Sequence, residues 1–476
     1  MNISIPEWLK PYLAFKGDRI LWYMIFLLAA ISLVVVFSST DKLAYTKMDG
    51  NTIKPLAKQF GMLALAVAAI LFFQNVHYKY FITFAGITCA LSILLLVLPY
   101  LEGGMRVNEA SRWFKVPILG FSIQPSEFAK IGVVMYMSRV IAFERRDGYC
   151  LDRALIPIAI RVIPILGLIF YENFSTSVFL AIICLLLLFV GRIREKTMMI
   201  ILASAAVLSA IFLLVIFNTE ALDNLGRIGE VKTRLRQENT LQPEQAKIAI
   251  ALGGLTGVGT GRSVQRNFIP NSHSDYIYAI IVEEYGFAGG ATVMGIYLII
   301  LYRIVLIIRR SSRAFPALLV TGLGLAIVLQ ALFHVLVNVG LFFETGQPLP
   351  LVSTGGTSIA LVGVALGMIQ SVAHTFSDSG QREEQEQKEK RSKERQRAIE
   401  RLKRQQEEED AAPLSPSTES RFHCPLKAAF TVRRTPLSPS TESRFHRPLK
   451  AAFNALLTPL YLPVYRRVTH PINVKP

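Results

Sequence analysis

Long apolar runs, separated by short connections, constrain the fold of this chain more than any other feature of its sequence. A transmembrane helix needs about 20 apolar residues to cross the hydrocarbon core of a bilayer. Only 18% of the residues are charged, whereas a soluble domain has about 25%. Suitable runs centre on residues 20–37, 61–73, 81–100, 123–142, 155–170, 176–190, 198–217, 285–308, 318–342 and 359–372. We predict an all-α, polytopic membrane protein with about ten transmembrane helices.

Basic residues cluster in alternate connections, which the positive-inside rule places in the cytoplasm. The clusters are Arg145, Arg146 and Arg153; Arg192, Arg194 and Lys196; and Arg309, Arg310 and Arg313. Both termini are therefore predicted to be cytoplasmic, and residues 218–275 to form a large extracytoplasmic loop. The predicted parts are a cytoplasmic N-terminus (1–19), a transmembrane domain (20–376) and a charged cytoplasmic tail (377–476).

The tail has a composition of its own, with 20 Lys or Arg residues against 13 Asp or Glu residues. Residues 381–410 are almost all Gln, Glu, Lys and Arg, which predicts a solvated helix or a disordered run. An 18-residue block starts at Pro413 and recurs at Pro436, which indicates a linear binding segment or a duplication without function. Because basic segments favour the anionic cytoplasmic leaflet, the net charge of +17 does not predict a nucleic-acid partner.

The predicted outer loop combines basic residues with a glycine-rich run at residues 253–263. Its basic residues are Arg227, Arg234, Arg236, Lys247, Arg262 and Arg266. Glycines let backbone amides approach a phosphate, and arginines bind phosphate through paired donors. The run is also typical of a re-entrant turn at the membrane surface, so the sequence supports two interpretations of this segment.

Three carboxylates mark the end of this loop and the apolar run that follows it. Asp275 directly precedes the run, where Asp is a favoured N-cap and where a partly desolvated carboxylate is suited to act as a base. Glu283 and Glu284 lie two turns further along, inside the span. Because an unpaired charge there is costly, one of them is expected to meet an Arg or Lys.

Two further segments carry polar groups into the membrane. Glu127 and Lys130 share a helix face at i,i+3, which predicts an internal ion pair or the lining of a polar cavity. Residues 338–358 contain glycines and prolines that break a helix and restart it. Irregular backbone at membrane depth is tolerated where it lines a cavity or packs inside protein. Arg161 and Glu172 are additional near-membrane charges without an obvious partner.

Four motifs follow one another in a fixed order along the chain. The first is Gln124-Pro125-Ser126-Glu127-Phe128-Ala129-Lys130. The second contains Gln242, Gln245, Gly257, Gly259, Gly261, Ser263, Gln265 and Arg266, and the third contains Pro270, His273, Asp275, Glu283 and Glu284. The fourth contains Gly346, Pro348, Leu349, Pro350, Ser353, Gly355, Gly356 and Ser358. Together they resemble the SEDS family of shape, elongation, division and sporulation proteins, over about residues 18–375.

The resemblance implies a peptidoglycan glycosyltransferase that polymerises lipid II, with Asp275 as its essential carboxylate. Because the donor sugar is α-linked to pyrophosphate, a good leaving group, one base that deprotonates the acceptor 4-hydroxyl suffices for a β-1,4 bond. Arg266, where the family usually has Lys, would stabilise the departing pyrophosphate. The candidate contacts to pyrophosphate or lipid II are Arg234, Arg262, Ser263, Gln265, Arg266, His273, Glu127, Lys130 and Ser353.

The resemblance also implies a location in the bacterial cytoplasmic (inner) membrane, at the division septum. The implied partners are a monofunctional class B penicillin-binding transpeptidase and other divisome proteins. The sequence requires no cofactor and assigns no metal ligands, although a divalent cation, Mg²⁺ or Mn²⁺, is compatible with the chemistry. The long tail favours the division branch over the elongation branch. Two other functions stay open, a flippase for lipid-linked precursors and a non-catalytic divisome scaffold.

The chain departs from the family pattern at three places. Glu172-Asn173-x-x-Thr176 stands where the family commonly has Glu/Gln-Pro-Asp-x-Gly-Thr. Thr354 replaces a usual Tyr, and Asn271 stands where many members have Glu. These departures leave the predicted base, Asp275, in place.

Overall fold

The computed structural model describes residues 14–39, 53–101, 105–107, 110–115, 122–146, 152–218 and 241–377, with single positions between 382 and 400. The first elements are α1 (Arg19–Ser39), α2 (Ile53–Asn75), α3 (Tyr78–Leu101), β1 (Met105–Val107), β2 (Ala110–Lys115), β3 (Ser122–Ile123) and α4 (Pro125–Arg146). Next come α5 (Asp152–Glu172), α6 (Phe174–Val190), α7 (Glu195–Asn218) and α8 (Leu241–Gly253). The last helices are α9 (Ile277–Arg310), α10 (Ala314–Val339) and α11 (Thr357–Thr375).

Ten of these helices account for the predicted spans. In the described part of the chain, eight helices are long and apolar enough to cross a membrane: α1, α2, α3, α5, α7, α9, α10 and α11. The apolar helix α6 is shorter, at 17 residues, and α4 has 22 residues but contains the charges of the first motif. The predicted all-α, polytopic class with about ten transmembrane helices is therefore confirmed.

A small sheet that the hydropathy pattern did not predict lies between α3 and α4. Its strand order is β1-β2-β3, and both pairs are antiparallel, with Met105 opposite Trp113 and Phe114 opposite Ile123. Strands this short, of two to six residues, leave no periodic signal that distinguishes them from an irregular connection. The sheet therefore adds a local feature to an otherwise helical protein.

Among the eight long apolar helices, α11 is the most buried, with 72% of its most apolar stretch inside the protein, against 6% for α7. Glycines allow α11 to pack against α2 at backbone distance. A Cβ added at Gly363 would lie 2.6 Å from the carbonyl oxygen of Ala66, and one at Gly367 would lie 3.0 Å from the Cα of Ile70. Small residues at such interfaces are the usual means of close helix packing in membranes.

Candidate functional site

Helix α9 is interrupted shortly after its start. Gly286 has φ +67° and ψ −170°, a conformation that only glycine adopts without strain, so the helical hydrogen-bond ladder stops there. The glycine-rich segment pairs the groups that the break releases. The amide of Val258 donates to the carbonyl of Glu283 (2.9 Å), and the amide of Phe287 donates to the carbonyl of Gly254 (2.8 Å). The backbone therefore stays satisfied at the break.

The glycines of this segment are required for its close approach to α9. A Cβ at Gly253 would overlap the carbonyl oxygen of Val282, and a Cβ at Gly257 would overlap that of Glu284. The amide of Gly259 donates to the same Glu284 carbonyl at 3.0 Å. Of the two interpretations, the structure favours the turn. The amides that would cradle a phosphate at this point already bind α9.

Glu283 is fully buried and fastens the end of the same segment. Its carboxylate accepts a hydrogen bond from the Ser263 hydroxyl and from the amides of Val264 (2.9 Å) and Gln265 (3.2 Å). The charge is therefore balanced by hydroxyl and amide donors, and the expected basic partner is absent from its described contacts. Ser263 and Gln265 are buried in this turn, and their predicted contacts with substrate stay predictions.

Arg266 and Glu284 meet on either side of Ser38, at the end of α1. The Arg266 guanidinium donates to the Ser38 carbonyl (2.6 Å), and the Ser38 hydroxyl donates to the Glu284 carboxylate. The Arg266 charge is close enough to interact with that carboxylate. Glu284 is therefore the glutamate that shares a contact residue, Ser38, with a basic side chain, as expected for one of the two. Arg266 is half-buried and ties the loop to α1.

Asp275 lies in a turn directly before α9. Asn271 adopts a left-handed conformation (φ +58°), and its carbonyl accepts the amides of Ser274 (3.0 Å) and Asp275 (3.1 Å). The N-cap of α9 is Tyr276, which makes no side-chain cap hydrogen bond. The expectation that Asp275 caps the helix is therefore wrong, because the turn places it one residue too early. Its half-buried carboxylate accepts a hydrogen bond from the Ser274 hydroxyl (2.9 Å).

The turn around Asp275 is fixed to the end of α10 by Asn338, which is fully buried. The Asn338 amide group donates to the Asp275 carbonyl (3.1 Å), and its oxygen accepts the Ala279 amide (3.0 Å). Next to it, the Tyr276 hydroxyl donates to the Glu344 carboxylate (2.5 Å). Asn338 and the Tyr276–Glu344 hydrogen bond therefore hold the chain at Asp275 and directly after it.

Ser353 supports the same turn from the segment between α10 and α11. Its hydroxyl donates to the Ser274 carbonyl (2.7 Å) and accepts the Leu349 amide (2.8 Å). The Thr354 amide donates to the carbonyl of His273 (3.1 Å). Ser353 is 0% exposed and positions the turn, and its contact with substrate stays a prediction. His273 is half-buried and stays a candidate substrate contact.

The segment at residues 340–356 runs inside the helix bundle, as its glycines and prolines predicted. Side chains of three helices bind four of its carbonyl oxygens, where water cannot. The donors and acceptors are Ser32 to Val352 (2.9 Å), Tyr297 to Pro350 (2.5 Å), Gln330 to Pro348 (2.8 Å) and His334 Nδ1 to Gln347 (2.9 Å). Irregular backbone is therefore stabilised here by tertiary contacts from α1, α9 and α10.

The predicted ion pair on α4 is present and reaches this segment. Lys130 Nζ lies 2.8 Å from Glu127 Oε1 and donates to Gln330 Oε1 at 3.0 Å. Both charged side chains are buried beside a cavity of about 30 Å³, which is room for about one water molecule. Gln330 in turn donates to Pro348, so the ion pair supports the segment from inside the bundle. No pattern in the sequence marks Gln330, because a single Gln in an apolar run has no spacing to interpret.

The divergent motif at the start of α6 contacts the same segment. Asn173 is the N-cap of α6 and accepts the Thr176 amide (3.3 Å). Thr176 Oγ1 accepts a hydrogen bond from Gln347 Nε2 (2.5 Å). Asn173, which departs from the family pattern, therefore caps α6, and the retained Thr176 docks this segment.

The remaining candidates divide by exposure. Arg262, which directly precedes Ser263, is exposed and therefore accessible to an anion. Arg234 lies outside the described residues. The described residues contain no group of three or more His, Cys, Asp or Glu side chains that would hold a metal ion, so a divalent cation stays a prediction. The tail repeats at residues 413–430 and 436–453 also lie outside the described residues.

Known proteins match this architecture. A family profile described as cell cycle protein, covering FtsW, RodA and SpoVE, matches residues 18–378. The "Probable peptidoglycan glycosyltransferase FtsW" of Trichlorobacter lovleyi is 28% identical over 373 residues, 76% of this chain and 95% of the relative. Stage V sporulation protein E of Bacillus subtilis is 30% identical over 369 residues, 75% and 96% of the two chains. A chain of a peptidoglycan synthase complex superposes with a TM-score of 0.61 at 21% identity, covering 76% of this chain and 99% of its own.

Proposed function

Because the chain belongs to the family of cell cycle proteins FtsW, RodA and SpoVE, we propose that it polymerises lipid II into β-1,4-linked glycan strands. It is a multi-pass membrane protein, and the relatives that carry an activity in their name are peptidoglycan glycosyltransferases. The activity is therefore inferred from the family. For this reaction, the site must provide a base and positive charge that binds the leaving pyrophosphate.

The observation that carries the proposal is the position of Asp275. Its carboxylate is half-buried, does not cap α9, and stands on a turn that Asn338 and Ser353 hold through the main chain. Because contacts to the main chain fix the turn, the carboxylate is held in one place relative to an incoming acceptor hydroxyl. Asp275 removes the proton of the acceptor 4-hydroxyl while the pyrophosphate of the donor leaves. Arg262, which is exposed nearby in sequence, supplies positive charge for the leaving group.

Replacement of Asp275 tests this mechanism. Asp275→Asn keeps size and polarity but removes the proton acceptor, so polymerisation should fall by about 10²–10⁴-fold. The measurement is glycan-chain formation from lipid II by equal amounts of purified protein with equal melting temperatures. Glu283→Gln is the control, because a buried structural carboxylate should change the melting temperature before it changes the rate. Near-normal polymerisation by Asp275→Asn would contradict the mechanism and favour a flippase or a scaffold.

The orientation of the chain follows from its basic connections. Helix α9 ends in a basic connection that contains Arg309, Arg310 and Arg313, which the positive-inside rule places in the cytoplasm. Asp275 lies at the other end of α9, so we place it on the outer side. A single cysteine at Asn271, which is exposed, should then react with a membrane-impermeant maleimide in intact spheroplasts. A cysteine at Ser312 should react only after lysis. The reverse pattern would overturn this orientation and place both termini outside.

The division branch is the more specific part of the proposal. The FtsW names of relatives such as that of Trichlorobacter lovleyi and the long charged tail support a septal polymerase working with a class B penicillin-binding transpeptidase and other divisome proteins. A relative of known structure belongs to a complex that couples polymerization and crosslinking. Depletion of the protein should therefore give filamentous cells without septa, and the transpeptidase should co-purify with it. Rounded cells after depletion would assign the chain to the elongation branch.

A further inference from the structure

Buried charges in the described spans are compensated in most cases. Lys130 pairs with Glu127, and the Arg303 guanidinium forms a bidentate pair with Asp18, with Nε at 3.1 and 3.0 Å from the two carboxylate oxygens. Arg139 on α4 and Arg161 on α5 differ from these, because neither has a carboxylate partner among the described residues.

The two arginines point to one place. A Cβ added at Gly86 of α3 would lie 3.3 Å from a terminal nitrogen of Arg139 and 3.9 Å from one of Arg161, so these nitrogens are within about 7 Å of each other. The Arg161 guanidinium also lies over the ring of Tyr136, 4.7 Å from its centroid. Three helices thus bring two like charges together beside a residue that has no side chain.

The pair lies within the membrane and away from the Asp275 site. Gly86, Arg139 and Arg161 are seven to nine residues from the ends of α3, α4 and α5 on the face opposite Asp275, which is about 10–14 Å along a helix. Because helical side chains lean toward the N-terminus of their helix, Arg161 leans toward that face and Arg139 leans away from it. Both side chains are half-buried, so they are accessible from the bilayer side.

Two neighbouring guanidinium groups without an acid repel each other strongly in a medium of low dielectric constant. A bound anion removes this cost, and a phosphate with several acceptor oxygens matches the planar donors of two arginines. We propose that Arg139 and Arg161 bind the phosphate group of an anionic phospholipid that enters between α3 and α5 from the leaflet opposite Asp275. Because Gly86 has no side chain, both guanidinium groups can lie against α3 at this point. Local thinning of the bilayer and the reach of Arg161 bring the headgroup to this depth.

Lipid titration of the purified full-length protein tests the proposal. Melting temperature in detergent is followed while phosphatidylglycerol, phosphatidylcholine with the same acyl chains, or inorganic phosphate is added. Wild type should be stabilised by phosphatidylglycerol at the lowest concentration, and native mass spectrometry should show a retained phosphatidylglycerol. The double variant R139Q/R161Q should need at least about tenfold more of this lipid, because it loses the charge-assisted hydrogen bonds.

Two further variants separate a site from a general charge effect. R309Q/R310Q removes two exposed arginines at the end of α9 and should bind phosphatidylglycerol like wild type. Gly86→Leu keeps both charges but fills the space between them, and it should lose the retained lipid, which keeps the test valid if R139Q/R161Q does not fold. Equal binding of phosphatidylglycerol by wild type and both site variants would overturn the proposal. Equal stabilisation by phosphatidylcholine or by inorganic phosphate would overturn it as well.

Discussion

The two irregular segments that flank the start of α9 are stabilised in opposite ways. Residues 253–259 lie against the break at Gly286 and are held by main-chain hydrogen bonds, at a close approach that only glycines permit. Residues 340–356 run inside the bundle, and their carbonyls are bound by side chains from α1, α9 and α10. The first segment therefore depends on the absence of side chains, and the second depends on their presence.

The two segments also differ in what they position. The glycine-rich segment determines where α9 begins its second half, whereas the inner segment determines where the turn with Asp275 lies, through Ser353 and Thr354. Damage to the first segment should act mainly on folding. Substitutions in the second segment should change the geometry of the site, because Ser353 binds the carbonyl of Ser274, the residue directly before Asp275.

The largest effect is expected at Gly257. Gly257→Ala places a Cβ on the Glu284 carbonyl oxygen and forces a non-glycine residue into a left-handed conformation, φ +81°. Strain of about 1–3 kcal/mol adds to overpacking of about 1–3 kcal/mol, so the variant should unfold at a much lower temperature or fail to accumulate. The measurement is the melting temperature of the protein in detergent, together with its yield in the membrane.

Gly261→Ala is the matched control for this substitution. Gly261 has a similar φ, +77°, but nothing lies within 4 Å of an added Cβ. It should show the conformational strain alone, and so a clearly smaller loss of stability than Gly257→Ala. If the two variants melt at the same temperature, the close approach to α9 contributes nothing, and the contrast between the two segments rests on backbone conformation only.

The sequence predicted the parts of this molecule that depend on local composition. Apolar runs predicted the spans, the i,i+3 spacing predicted the Glu127–Lys130 pair, and the glycines and prolines of residues 338–358 predicted irregular backbone inside the protein. Each of these patterns lies within one stretch of chain, so it can be interpreted without knowing which other part of the protein packs against it. The resemblance added the family, which the profile over residues 18–378 confirmed.

The contacts that position the site were not predictable in the same way. Asn338 and Gln330 act through carbonyls of Asp275 and Pro348 that are distant in sequence, and no spacing marks them. The positions of Ser263 and Ser353 in motifs favour a contact with substrate, whereas the structure buries both and gives both a structural contact. A motif shows that a residue matters. Whether it contacts substrate or supports another residue depends on burial, which only the fold determines.

The smallest predicted effect is the most specific one, at Ser353. Ser353→Ala removes a hydroxyl that joins the Ser274 carbonyl to the Leu349 amide, and it leaves both groups buried without that partner. The expected loss of stability is about 1–3 kcal/mol. Because the carbonyl belongs to the neighbour of Asp275, polymerisation per folded molecule should also fall, by up to about tenfold, as expected for a small misplacement of a base.

Thr354→Ala distinguishes this positioning from a general weakening of the segment. The Thr354 hydroxyl donates to the His273 carbonyl (3.0 Å), but the Thr354 amide donates to the same oxygen (3.1 Å), so that carbonyl keeps a partner in the variant. We expect near-wild-type stability and rate for Thr354→Ala, and a slower rate for Ser353→Ala at temperatures where both are folded. Equal rates for the two variants would mean that the inner segment stabilises the bundle without orienting Asp275, and the contrast between the segments would then be one of stability alone.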